Sequence, residues 1–246
     1  MQRLLKSVKP KCLEDLAIVT SIGRPASLQS GLTESYLKRR NGEEPVEFLL
    51  PELEPLMQDT LGIYGIYQES LMQVCKYYAG FTDSEADQAR KICGKKLKDK
   101  LPMLEKMFTE GAKKMGRDEG LTTQVFDNLK EFASYGFNKS HAIAYSAMSY
   151  ATAYYKTHYP TEFLTALLNS VSDDLVKTGV YINEAMRLGI DILPPDINES
   201  SNKFTIDQEG RIRFGFNAIK GLGTSAINNI IAERTTDYKS IEDFVR

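Results

Sequence analysis

Apolar positions recur three and four residues apart through the first 188 residues, a spacing that predicts a succession of amphipathic helices. In LPMLEKMFTEGAKKMG, Leu104, Met107, Phe108, Ala112 and Met115 share one face, with Pro102 near the helix start and Gly116 just past its end. Thr82 and Glu85 stand at capping-box spacing, so a helix starts near Asp83 and stops before Gly94. A further helix uses Val125, Leu129 and Phe132, and residues 45–80 read as helices punctuated by Pro51, Pro55 and Gly62. A long helix is expected from about His141 towards Tyr159, where Pro160 interrupts it. TEFLTALLNS then forms one helix and residues 176–188 another.

From residue 189 the pattern changes class. DILPPDIN reads as extended chain, and KFTIDQEGRIRFGF alternates on both sides of Gln-Glu-Gly, the mark of a β-hairpin. AIKGLGTSAINNIIAER returns to helix behind a Gly-Leu-Gly turn. The expected fold is mainly α: a helical domain over 1–188, then an extended segment, a hairpin and a helix-hairpin-helix-like start over 189–246. No repeat of fixed period separates them.

Composition narrows the class. With 42% apolar and 26% charged residues, 246 residues suffice to bury a proper core. No apolar run reaches the length of a membrane span, and the N-terminus lacks the continuous apolar stretch of a signal peptide. Cys12, Cys75 and Cys93 are odd in number and widely spaced, which points to reduced thiols in a cytoplasm and away from a disulfide framework or a zinc site. With only two histidines, 17 positions apart, a histidine-based metal cluster is not expected.

The net charge of −2 conceals an asymmetry. From Arg90 to Arg117 ten basic residues, Lys91, Lys95 and Lys96 among them, face three acidic ones, whereas the rest of the chain holds 21 basic and 30 acidic residues. A local positive field on an acidic protein suits a polyanion that docks in one place. A solvated, lysine-rich helix pair fits the same numbers.

The densest polar chemistry lies in GFNKSHAIAY, residues 136–145. Ser140 stands at the N-cap position of a helix beginning at His141, which sets Lys139 and His141 beside amides and a dipole that favour anions. Such a start suits a phosphate chain, and a histidine held there is favoured as the cation. A histidine bonded to a carbonyl and a lysine facing water remain the competing reading. Tyr145, Tyr150, Tyr154, Tyr155 and Tyr159 follow; they offer stacking faces for bases, but at their spacings at least three are expected in the core. Gly221 and Gly223, beside Lys220, form a second turn whose amides can approach a phosphate, as in helix-hairpin-helix DNA-binding units; on its own this pattern is common.

Several of these stretches together are similar to one family. GFNKSHAIAYSAMSYATAYYKTHYPTEFLTALL resembles the signature of the fingers domain in the α (polymerase) subunit of bacterial DNA polymerase III, the C-family replicative polymerases. RPASLQSGLTESYLKRRNGEEP is similar to the family's RPGPLQSG segment, and YQESLMQVCKYYAGFTDSEADQARKICGKK to its YQEQVMQ and GKK segments. GIDILPPDINES and RIRFGFNAIKGLG resemble its ILPPDIN and Lys-Gly-rich stretches, so the likeness covers essentially the whole chain.

The resemblance implies a helical fingers domain whose Arg90, Lys91, Lys139 and His141 approach the triphosphate of an incoming dNTP. It also implies that Lys95, Lys96, Lys220, Gly221 and Gly223 contact primer-template DNA. Lys91 replaces the usual second arginine and leaves a point charge in place of a bidentate fork. Ala26 and Ser27 stand where Gly-Pro is usual, and TLGIYGIYQE carries an extra residue that shifts the register near Ile63 to Ile66.

The family's palm holds two metal ions on three aspartates, two of them in an Asp-x-Asp pair, and this chain contains no Asp-x-Asp. The resemblance therefore implies Mg²⁺ held by palm residues outside this sequence, none bound by this chain itself and no polymerisation by it alone. A split subunit and a piece of a longer α subunit both fit, with a palm-bearing chain or segment, a sliding clamp and other replisome subunits as expected partners and no membrane. A non-catalytic nucleic-acid-binding or regulatory descendant of the fingers is the alternative.

Overall fold

A computed structural model describes the chain except residues 49, 96, 133–135 and 246 and the side chains of 52, 131 and 132. Lys96 and the side chain of Phe132 thus lie outside the described residues. Among the described residues there are fourteen α-helices and one small three-stranded sheet, which is the mainly α fold with a hairpin that the periodicity predicts. Two compact units divide between Ser149 and Tyr150.

The first unit contains α1 (Gln2–Val8), α2 (Leu13–Ile22), α3 (Pro25–Gln29), α4 (Leu32–Arg40), α5 (Glu54–Met57), α6 (Gln68–Ala79), α7 (Asp83–Gly94), α8 (Leu101–Lys114) and α9 (Glu119–Phe132). It also holds the start of α10 (Lys139–His158), as far as Ser149. The capping box forms as its spacing predicts: Glu85 N–H donates to Thr82 Oγ1, and the Glu85 carboxylate accepts from the Thr82 amide at 2.8 Å. On α8, Leu104, Phe108 and Ala112 are buried; Phe108 stacks on Tyr78 with centroids 5.6 Å apart and meets Phe126 at 5.4 Å. Met115 departs from that stripe and is 48% exposed, because the helix has already closed at its C-cap.

Two cores serve this unit. One joins α6, α7, α8 and α9 around Val74, Tyr78, Ile92, Phe108 and Val125. The other packs Ala17, Ile18 and Ile22 of α2 against Tyr36 of α4, Ile66, Tyr67 and Ala142 of α10. Between α5 and α6 the chain turns sharply, with positive φ at Leu61 (51°) and Gly62 (75°), and delivers Ile63, Ile66 and Tyr67 to the second core.

The second unit holds the remainder of α10 with α11 (Pro160–Ser170), α12 (Leu175–Arg187), β1 (Ile192–Leu193), β2 (Thr205–Ile206), β3 (Ile212–Arg213), α13 (Thr224–Glu233) and α14 (Ile241–Val245). The sheet order is β1-β3-β2: β2 and β3 form the hairpin, with Thr205 opposite Arg213 and Ile206 opposite Ile212, and β1 joins β3 in parallel. Leu164, Leu168 and Ala185 from α11 and α12 share one core with Ile190, Phe204 and Ile212. The Asn169 amide completes the junction, donating to the Phe204 carbonyl at 2.9 Å and accepting its N–H at 2.8 Å. The compact units therefore divide well before residue 189, where the sequence changes class, since α11 and α12 bury their apolar faces on the strands.

The tyrosines of α10 and its end are the main correction. Tyr145, Tyr150, Tyr154, Tyr155 and Tyr159 are all between 43% and 59% exposed, and none enters a core. Small residues, Ala142 and Ser146, are what this helix buries, and the second unit's core is built without α10. The rings meet one another instead, Tyr150 against Tyr154 at 6.4 Å and Tyr155 against Tyr159 at 6.5 Å.

Candidate functional site

Backbone pairing builds the site at the start of α10. Phe137 N–H donates to the Ile66 carbonyl and Gln68 N–H to the Phe137 carbonyl, both at 2.9 Å, so Tyr67 and Phe137 run side by side in parallel. Gly136 permits this approach: a Cβ there would lie 3.0 Å from Gln68 N and 3.2 Å from the Tyr67 carbonyl carbon, which is backbone that cannot step aside. As a result α6 and α10 begin beside each other.

The helix starts at Lys139, two residues before His141, and its cap is Asn138, not Ser140. Asn138 Oδ1 accepts the His141 N–H at 2.7 Å, the usual bond from N-cap side chain to third amide. The Glu69 carboxylate adds a second layer, accepting the Lys139 N–H at 3.0 and 3.1 Å and the Asn138 side-chain amide at 3.1 Å. An internal anion already occupies the position where dipole and free amides favour one.

The predicted cations gather around residues 67–69. Lys139 Nζ lies 2.7 Å from Asp59 Oδ2 and 5.4 Å from the Tyr67 ring centroid. Tyr67 is buried; burial, and then the charge of Asp59, raises its hydroxyl above the usual range. Arg90 donates through Nη1 to Gln68 Oε1 at 3.1 Å and through Nε and Nη2 to Asp87 Oδ1 at 2.9 and 2.7 Å. Lys91 Nζ takes the other oxygen of Asp87 at 2.7 Å. The Lys91 and Arg90 hydrogen bonds hold the Asp87 carboxyl below the usual carboxylate range. His141 sits between rings, 5.4 Å from Phe137 and 4.3 Å from Tyr145 by centroids.

Residues 67–69 thus bring Arg90 and Lys139 together, with Lys91 beside the first and His141 near the second. The same geometry includes Asp59, Gln68, Glu69 and Asp87, which were not among the predicted site residues. Arg24 belongs with them: its guanidinium lies 4.8 Å over Phe137, and among the described residues it forms no ion pair. Asn138 carried a readable signal, an Asx residue immediately before a helix, and Asp87 stands at helical spacing from Arg90 and Lys91; Glu69 and Asp59 carried none, being 70 and 80 positions away from Lys139.

The remaining candidates lie elsewhere. Lys95 is exposed, just past α7. In the second unit Gly221 takes φ 88°, a value that favours glycine, and Gly223 is the N-cap of α13. No side chain caps that helix, and Lys220 is exposed beside it. Among the described residues no three His, Cys, Asp or Glu side chains come together as a metal site, and no helix is long and apolar enough to cross a membrane.

Comparison with known proteins adds two family matches. Residues 1–116 match the bacterial DNA polymerase III alpha subunit finger domain, and residues 189–246 match the helix-hairpin-helix motif. The chain is 42% identical over 247 residues to the DNA polymerase III subunit alpha of Aquifex aeolicus, a match covering 100% of this chain and 21% of that protein. It is 39% identical to the same subunit of Helicobacter pylori, over 99% of this chain and 21% of the relative. The subunit of Chlamydia muridarum is 40% identical over 100% of this chain and 20% of the relative. The chain therefore spans about a fifth of the length of the curated relatives it matches.

Proposed function

We propose that this chain, whose residues 1–116 belong to the finger-domain family of bacterial DNA polymerase III alpha subunits, grips the triphosphate of an incoming dNTP at the start of α10 and contacts DNA phosphates at the start of α13. The observation that carries the reading is that Arg90, bonded to Gln68, and Lys139, over the ring of Tyr67, are both anchored on neighbouring residues at the start of α6. Lysine and arginine on separate helices, anchored on adjoining residues, can supply the charge-assisted bonds that neutralise and orient a polyphosphate. His141 and Lys91 stand at its edge, and Arg24 brings a guanidinium not engaged by a carboxylate among the described residues.

At the other end Gly221 and Gly223 keep side chains away from the first amides of α13, which suits sequence-independent contact with a sugar-phosphate backbone. Lys220 adds charge there, and Lys95 is a separate exposed cation of the first unit. The chemistry of chain extension requires Mg²⁺, and each carboxylate around α10 already has a partner in this chain: Asp59 has Lys139, Asp87 has Arg90 and Lys91, and Glu69 has a backbone amide. The metal-holding aspartates belong to a palm outside this sequence, so the partners we assign are dNTP, primer-template DNA and a palm-bearing segment or chain, with the sliding clamp and replisome beyond them.

The test is equilibrium binding of a fluorescent dNTP to the chain and to two variants. Lys139→Ala and Arg90→Ala are each expected to weaken binding about tenfold, with the loss largest at low salt. Unchanged affinity in both would remove the clamp assignment.

A further inference from the structure

The proposed clamp carries no spare charge from its own three helix-borne cations. Arg90 and Lys91 share Asp87, Lys139 is held by Asp59, and the helix start is filled by Glu69. A polyanion that takes these cations must compete with the carboxylates already on them. The three carboxylates differ in how firmly they are placed. Asp87 sits one turn from its partners on α7, a local pairing that solvent reaches. Glu69 grips backbone and the capping side chain, so it belongs to the helix end itself. Asp59 alone is brought from a distant loop to a single side-chain cation, and its side chain is only 17% exposed. The ring of Tyr67 covers one side of Lys139 Nζ, 5.4 Å from its centroid.

From this geometry we infer that Asp59 is a built-in competitor for the triphosphate: nucleotide binding is an exchange in which Lys139 Nζ leaves Asp59 for a phosphate oxygen. The inference rests on the clamp reading of α10. It follows that a nucleotide must displace an internal anion as well as water, and that a ligand with too little negative charge fails to open the pair. Asp59 then acts as a threshold that discriminates the triphosphate from less highly charged products.

The experiment is titration calorimetry of the full 246-residue chain with inorganic triphosphate and with pyrophosphate. Asp59→Asn is expected to tighten triphosphate about three- to tenfold and to tighten pyrophosphate by a larger factor. In the double variant with Lys139→Ala the gain should vanish, since the two residues act as one unit. Unchanged or weaker binding by Asp59→Asn, with Lys139→Ala still defective, overturns the exchange and leaves the clamp standing. Unchanged binding by Lys139→Ala overturns both. Should Asp59→Asn fail to fold, the carboxyl-carbon resonance of Asp59 in the unaltered chain decides: it shifts on saturation with triphosphate if the pair opens, and a fixed resonance rejects the inference.

Discussion

The helices that begin at Lys139 and at Thr224 look alike in sequence, each with a glycine within the three preceding residues and a lysine nearby, yet their first turns are opposites. At Lys139 a side chain from another helix fills the anion position, Asn138 caps the third amide, and the lysine is paired. At Thr224 no side chain caps the amides and Lys220 is exposed. The first start is filled, capped and paired, suited to one ligand that can displace what is there. The second is uncapped, with an exposed lysine beside it, which suits any phosphate that drifts past. A helix N-terminus thus says little about its ligand until its internal competitors are counted.

Raising the pH should separate the two starts most strongly. Burial pushes the Tyr36 hydroxyl up to about 12, Cys75 up to about 12 and Cys93 up to about 11, all in the unit that holds Lys139. These groups are neutral when protonated, so the unfolded chain releases its protons first, from its usual values of 9.0 for thiols and 10.0 for tyrosine. Stability is therefore whole below pH 9 and declines as pH climbs from there through the folded values. The first unit's melting temperature should drop by about 5–10 °C between pH 9 and 11. Amide exchange around α10 should accelerate before that around α13; the reverse order would contradict this account.

Glu69→Ala attacks the filled start directly. Losing the bonds to the Lys139 amide and to Asn138 should cost about 1–2 kcal/mol and lower the melting temperature by about 3–6 °C. An unchanged melting curve would mean that the carboxylate is an onlooker. The converse change, Gly223→Asp, gives α13 an internal anion of its own. The backbone there, φ −80° and ψ 157°, accepts any residue, and open space surrounds the new Cβ. Binding to random-sequence duplex DNA should weaken about fivefold, with melting moved by no more than about 2 °C. Smallest of all, Lys220→Ala should weaken DNA about twofold and reduce the salt slope by about one. Full affinity in both variants would move the DNA contact elsewhere.

Much of this was legible in the sequence where the signal is local. The Thr82–Glu85 capping box, the hairpin around Gln-Glu-Gly and the apolar face of α8 are each written within a few residues, and each formed. The tyrosines of α10 misled because aromatic residues are usually buried, while no core was there to receive these. Lys139 was singled out by its place at a helix start and Arg90 by the resemblance to a family, but Glu69 and Asp59 escaped notice. Ordinary acidic residues in helix and loop acquire meaning only when the chain folds back across 70 positions or more. Arg24 was similarly hidden, since a cation over an aromatic ring leaves no pattern in spacing.

The two backbone bonds joining Ile66, Gln68 and Phe137 also bear on the order of events during folding. They close a loop of about seventy residues, and α6, α7, α8 and α9 lie inside it. Loop-closure entropy makes such a junction late, reached only once the intervening helices have collapsed on their shared core. The start of α10 is consequently among the last parts of its unit to be assembled and among the first to open. Exchange of the Lys139 amide is then a clock for completion of the unit, and a nucleotide that holds this junction shut would slow the opening as well as occupy it.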